Sequence, residues 1–345
     1  MRFQNVHLER AAHVLPDEVV TSLELEERLA PVYDALRLRP GRIELMSGIT
    51  ERRFWEKGTR PSEAAARAGA RALAEADFDR TRIGCLISAS VCRDFMEPAT
   101  AAFVHRALEL PPSCAAFDLS NACLGAVNAM GVVAGMIERR EIEAGLVVAG
   151  ETGRPLVEET VASLLNAPTP SRGDVKRAFA SLTIGSGAAA VLLVHADLAR
   201  SSDKLLGGVT RAATHHNELC RGDVAPGRGR PLMETDSEAL LNAGRELAGE
   251  TWSAFLEELA WSPGDVDRIV THQVGVAHRR AVLGALGLDP ALDFPTVERL
   301  GNIGSVSLPL SFSMARDEGF IADGDRVAML GIGSGLFCQM LAVSC

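Results

Sequence analysis

Cys123, His272 and Asn302 are a thiol, an imidazole and a side-chain amide, three reactive residue types, and backbone N–H groups beside such a thiol can hold an oxyanion on a carbonyl it attacks. Cys123 follows the strand-like AAFDLSNA and opens an uncharged, helix-like run. A strand-to-helix turn there puts the thiol at a helix N-terminus, where unpaired N–H groups and the helix dipole favour thiolate. Cysteine is also an ordinary small core residue. His272 closes the strand-like RIVTH, and Asn302 lies in the tight turn LGNIG ahead of a helix. Strand tips of this kind are where ligands bind in doubly wound sheets. Taken singly, the two also fit a satisfied core histidine and an N-cap asparagine. Glu97, in DFMEPAT, stands before Pro98 at a helix start, a position the dipole favours for any carboxylate. Gly331 to Gly335 (GIGSG) lacks the GxGxxG spacing and lies between two strand-like runs, so it predicts a tight turn. Its backbone, the Ser334 N–H included, can approach a substrate oxyanion closely. The chain has no GxSxG elbow, Walker loop or HExxH.

These residues need elements to hold them, and the elements come in two matching sets. Helix-like 61–76 precedes strand-like 83–90, and helix-like 237–259 precedes strand-like 267–274. Further on, 121–150 parallels 301–331, each with a small-residue turn, an apolar helix, a charged turn and a strand ending in Gly. The alternation predicts an α/β protein with largely parallel sheets covered on both faces, built as two pseudo-symmetric halves. The boundary falls at ARSSDK (199–204), giving units 1–200 and 201–345. Corresponding strand and helix ends then bring Cys123, His272 and Asn302 towards a common axis. Residues 154–182 interrupt the rhythm and read as short helices capping something apolar, with Leu164 and Leu165 as candidate channel residues.

Composition limits the possible functions. The chain has 345 residues, 47% of them hydrophobic and 5% aromatic, so a sizeable core must be built from Ala, Val, Leu and Ile. A net charge of −10 argues against nucleic acid as a partner. Seven irregularly spaced cysteines with no CxxC indicate neither a disulfide framework nor a zinc site. Glu9 and Arg10 break any export signal at the start, and the expected location is a reducing cytoplasm. Residues 119–137 carry no charge, but Ser120, Asn121 and Asn128 make them a buried helix rather than a membrane span.

NACLGAVNA, THQV, GNIGSVSLP and GIGSGL, in this order along the whole chain, resemble the thiolase superfamily on its ketoacyl synthase III branch. SVCRDFMEPAT, VVAGET and HNELCRG are similar to the group within it that joins two fatty acyl-CoAs head to head in bacterial long-chain olefin synthesis. The resemblance implies a five-layer αβαβα thiolase fold from two βαβαβαββ halves, a homodimer, and acyl-CoA as substrate with no cofactor or metal. It implies that Cys123 is acylated, that His272 and Asn302 bind the enolate oxygen, and that the Cys123 and Ser334 N–H groups form the oxyanion hole. Glu97 would be the base, reaching across the dimer. The expected reaction is a non-decarboxylative Claisen condensation to a 2-alkyl-3-ketoalkanoate, with later pathway enzymes as possible partners. Gly185-Ser186-Gly187 departs from relatives that carry an acidic residue between the glycines, and Ser186 is given no role.

Three rivals remain at this point. A decarboxylating ketoacyl synthase III would draw its carbanion from a malonyl thioester and need no Glu97. The order Cys, His, Asn also fits a papain-like hydrolase, although the CGSCW signature is missing. A non-catalytic thiolase-fold partner would be expected to lose the cysteine.

Overall fold

The computed structural model describes residues 1–224 and 231–345. The first half contains β1 (Val6–Val14), β2 (Glu18–Thr21), β3 (Glu51–Phe54), β4 (Ile83–Ser88), β5 (Ala115–Asp118), β6 (Ala144–Glu151) and β7 (Gly187–His195). The second contains β8 (Lys204–Ala212), β9 (Cys220–Val224), β10 (Pro231–Thr235), β11 (Arg268–Thr271), β12 (Arg326–Gly333) and β13 (Phe337–Ser344). Strands β1, β7, β6, β4 and β5 lie side by side, and β8, β13, β12 and β11 repeat that order. A lone parallel bridge between Ile269 and Asp293 stands where the second half would have its counterpart of β5. The two sheets join through β1 and β8 at the pair His7–Lys204.

The sheets are mixed, which corrects the expectation of largely parallel ones. Strands β4, β5 and β6 run parallel, as do β11 and β12. Strand β7 is antiparallel to both of its neighbours, and so is β13. The reason lies in the connections. The turn at 334–336 makes β12 and β13 a hairpin. Between β6 and β7 the chain runs through the 154–182 insertion instead of a crossover helix.

Five layers follow from the burial of both faces of each sheet. In β7, Ala188, Ala190, Leu192 and Val194 pack with Ala64, Ala65, Ala68 and Ala72 of the outer helix Pro61–Glu75. The alternate residues Ala189, Val191 and Leu193 face the helices Gly125–Glu138 and Ser307–Asp317. Strand β13 alternates likewise, with Leu341 and Val343 inward and Cys338, Met340 and Ala342 towards the outer helices Ser237–Leu259 and Val276–Ala285. Strands buried on both sides carry continuous apolar runs, which is why β6 and β7 show no polar alternation. The resulting αβαβα stack is the thiolase fold. Its central layer is the uncharged 119–137 stretch and its mirror, and no described helix is long and apolar enough to cross a membrane.

Candidate active site

Cys123, His272, Asn302 and Ser334, from four separate segments, line one cavity of about 390 Å³. The Cys123 turn leaves β5 at Asp118, whose carboxylate accepts from the Thr100 and Ala101 amides at 2.8 Å each. Ala122, directly before the cysteine, is held at φ 45°, a left-handed conformation uncommon for non-glycine residues and recurrent at functional sites. The helix proper begins at Gly125, so Cys123 precedes it rather than opening it. Two polar residues that interrupt the apolar run now have a purpose. Asn121 donates to Asn128 at 2.6 Å, and Asn128 donates to Gln339 of β13, tying the turn to the second half.

His272 follows β11, and its amide donates to Leu330 O at 2.9 Å. The next residue, Gln273, is buried and fastened through its side chain to Phe294 O, Thr296 N and Val297 N. The Asn302 turn docks on the first half, its amide donating to Thr183 O and its carbonyl accepting from Gly185 N, both at 2.9 Å. A Cβ on Gly185 would stand 2.0 Å from Leu300 O, so only glycine permits that approach. Asn302 Oδ1 accepts from Gly304 N at 3.0 Å, which leaves the amide nitrogen as the donor for the cavity. Ser186 Oγ accepts from Gly153 N at 2.9 Å, a side-chain tie between the residue before the insertion and the residue before β7.

Electrostatics correct one expectation. Burial pushes the Cys123 thiol up to about 12, with Cys220 and the Glu151 carboxylate adding to the rise. The helix end does not outweigh desolvation, so the resting group is a thiol. Burial also pulls His272 down to about 3, with His278 adding to the fall, so the imidazole is neutral. Two neutral groups, rather than a thiolate–imidazolium pair, face the cavity.

Glu151 is one residue that sequence reasoning missed. It ends β6, is buried, and accepts from Val91 N, Cys92 N, Ser305 N and Ser305 Oγ at 2.8, 3.1, 3.3 and 2.9 Å. Burial raises its pKa and these donors oppose the rise. The carboxylate thereby joins the segment leading to Glu97 with the turn following Asn302. Its signal was a lone carboxylate closing an otherwise apolar strand, since buried Glu is rare unless paired.

Three other residues fall outside the cavity. Glu97 is exposed, on a segment whose Phe95 and Met96 are 44% and 98% exposed. Leu164 packs in a core with Leu25, Leu29 and Val161, and Leu165 is 41% exposed, so neither lines the cavity. The insertion reaches it instead through Lys176, Phe179 and Ala180, because the first of its helices packs inward on the 22–54 region. Among the described residues no group of three or more His, Cys, Asp or Glu could hold a metal ion.

Known proteins resemble this chain over its full length. Residues 256–345 match the family described as 3-oxoacyl-(acyl-carrier-protein) synthase III C terminal. The chain is 41% identical over 349 residues to an acyl-CoA:acyl-CoA alkyltransferase of Shewanella oneidensis, covering 99% of both. It is 39% identical over 343 residues to one of Xanthomonas campestris pv. campestris, again covering 99% of both. Cerulenin-bound Xanthomonas OleA superposes with TM-score 0.95 at 39% identity, covering 100% of this chain and 98% of that one. A cysteine-to-serine variant of that OleA with bound lauric acid and lauroyl-CoA gives 0.94 at 38% identity, covering 99% and 100%. The chain, with this fold and this degree of identity from end to end, belongs to the acyl-CoA:acyl-CoA alkyltransferase family.

Proposed function

We propose that this protein joins two fatty acyl-CoAs head to head without decarboxylation, as the first step of long-chain olefin synthesis. The observation that carries the reading is the convergence of Cys123, His272, Asn302 and Ser334 on one cavity while Glu97 stands outside it on an exposed apolar edge. Cys123 sulfur attacks the first thioester, and CoA leaves as its thiol with the cysteine proton. The Cys123 and Ser334 N–H groups hold the oxyanion of that addition. The partner subunit's Glu97 takes an α-proton from the second acyl-CoA, and His272 and Asn302 stabilise the enolate oxygen. The enolate carbon attacks the Cys123 thioester, and collapse of the adduct breaks the S–C bond and frees the cysteine. Hydrolysis of the remaining thioester yields the 2-alkyl-3-ketoalkanoate. No cofactor enters this scheme, in which acyl-CoA is substrate only.

The dimer in this scheme forms along β5. That strand ends the sheet, and Ala115, Ala116 and Phe117 are exposed, as are Phe95 and Met96. An unpaired apolar edge of this kind invites a second copy. Seven free cysteines support a reducing, cytoplasmic setting. The solved Xanthomonas OleA variants alter one cysteine, one glutamate and one histidine, the residue types of Cys123, Glu97 and His272.

Product mass spectrometry with one saturated acyl-CoA and no malonyl donor tests the reading. A 2-alkyl-3-ketoacid, or the ketone left when it loses carbon dioxide, is expected. Product formed only when malonyl thioester is added would establish the decarboxylating reaction instead.

A further inference from the structure

We propose that His278 is a positioning residue for His272: a single enclosed water joins their Nδ1 atoms and holds His272 as the tautomer whose Nε2–H faces the reaction cavity. The inference rests on the donor role given to His272 above. Next to the reaction cavity lies a small space of about 10 Å³, room for one water. His272, His278 and Ile332 line both spaces, so the two imidazoles form the polar part of the wall between them. Each ring has a buried Nδ1 with no hydrogen-bond partner among the described residues. A buried polar atom left without a partner is costly, and such atoms are usually satisfied by enclosed water.

The other polar side chains on the small space are committed elsewhere. Thr271 Oγ1 donates to Asp293 at 2.9 Å, and Arg279 donates to the same carboxylate at 2.5 Å. Burial lowers His272 to about 3 and His278 to about 4, so both rings are neutral and each has one N–H and one lone pair. A water has two hydrogens to give. Donating one to each Nδ1 satisfies both rings and leaves both protons on Nε2. His272 then offers the cavity a donor, which an enolate oxygen requires, and not a base.

The test compares His278→Phe with His278→Asn, whose side-chain oxygen keeps an acceptor near the Nδ1 position. Each is made alone and in the His272→Ala background, and condensation of one acyl-CoA is followed. His278→Phe should lower kcat about tenfold, the effect of losing one hydrogen bond at a buried group, with KM and Cys123 acylation unchanged. His278→Asn should recover most of that loss, and in the His272→Ala background neither change should matter further. An equal loss in both backgrounds would overturn the inference, as would full activity of His278→Phe beside an impaired His272→Ala. Full activity of His272→Ala would instead remove the donor role itself. Should the Phe variant not fold, ring nitrogen shifts of the wild-type enzyme report the tautomer directly. A proton on His272 Nε2 supports the proposal, and one on Nδ1 refutes it.

Discussion

Two influences oppose each other at the Cys123 sulfur. The following helix start favours thiolate, while burial beside Cys220 and Glu151 favours the thiol and pushes its pKa to about 12. Because burial wins, the thiolate fraction rises tenfold per pH unit throughout the accessible range. Alkylation of Cys123 by iodoacetamide in the free enzyme should therefore climb from pH 6 to pH 9 without a plateau. A plateau near neutral pH, measured by peptide mapping, would mean that the helix end dominates. His272 stays neutral over that range because burial holds it near 3, so its ionisation should leave no inflection. In the proposed mechanism His272 and Asn302 act as donors after acylation. His272→Ala and Asn302→Ala should still take an acyl group onto Cys123 while losing about 10²–10³ in condensation rate. Normal condensation by both folded variants would remove them from the mechanism.

The insertion divides its labour between two helices. Arg154–Leu165 packs Leu164 against Leu25 and Leu29, whereas the segment from Arg172 onward brings Lys176, Phe179 and Ala180 to the cavity. Leu164→Ala should cost about 2–5 kcal/mol of stability and leave chain-length preference alone. Ala180→Trp should shorten the preferred acyl chain while short acyl-CoAs still load Cys123. Competition between acyl-CoAs of different length, read by product mass, checks both; an unchanged profile for Ala180→Trp would place the acyl channel elsewhere. The same insertion marks a limit of pattern reading. Apolar spacing in 154–182 is legible as helix, but it does not say which face meets the core and which meets a ligand. Cys123, His272 and Asn302 were legible because each sits in a turn next to a strand or helix end with an echo in the other half. Glu151 and His278 were not, since their importance comes from burial and from partners distant in sequence. The direction of β7 was hidden for a related reason, because a run buried on both faces looks the same whichever way it pairs, whereas the tight turn at GIGSG already implied that β13 runs antiparallel to β12.

On the proposed mechanism a single chain presents an incomplete site. Cys123, His272, Asn302 and Ser334 line its cavity, and its Glu97 lies outside it on an exposed segment. An unactivated α-carbon needs a positioned base. The account therefore requires that each cavity be completed by a second copy across the β5 edge. Co-expression of two differently tagged chains, one carrying Cys123→Ala and the other Glu97→Gln, isolates mixed dimers for the decisive assay. Both homodimers should be inactive in condensation, the first for lack of a nucleophile and the second for lack of a base. In the mixed dimer the Glu97→Gln chain keeps Cys123 and receives an intact Glu97 from its neighbour, so one competent site forms and condensation returns. A mixed dimer as inactive as its parents, with Cys123 of the Glu97→Gln chain still acylated, would contradict the account.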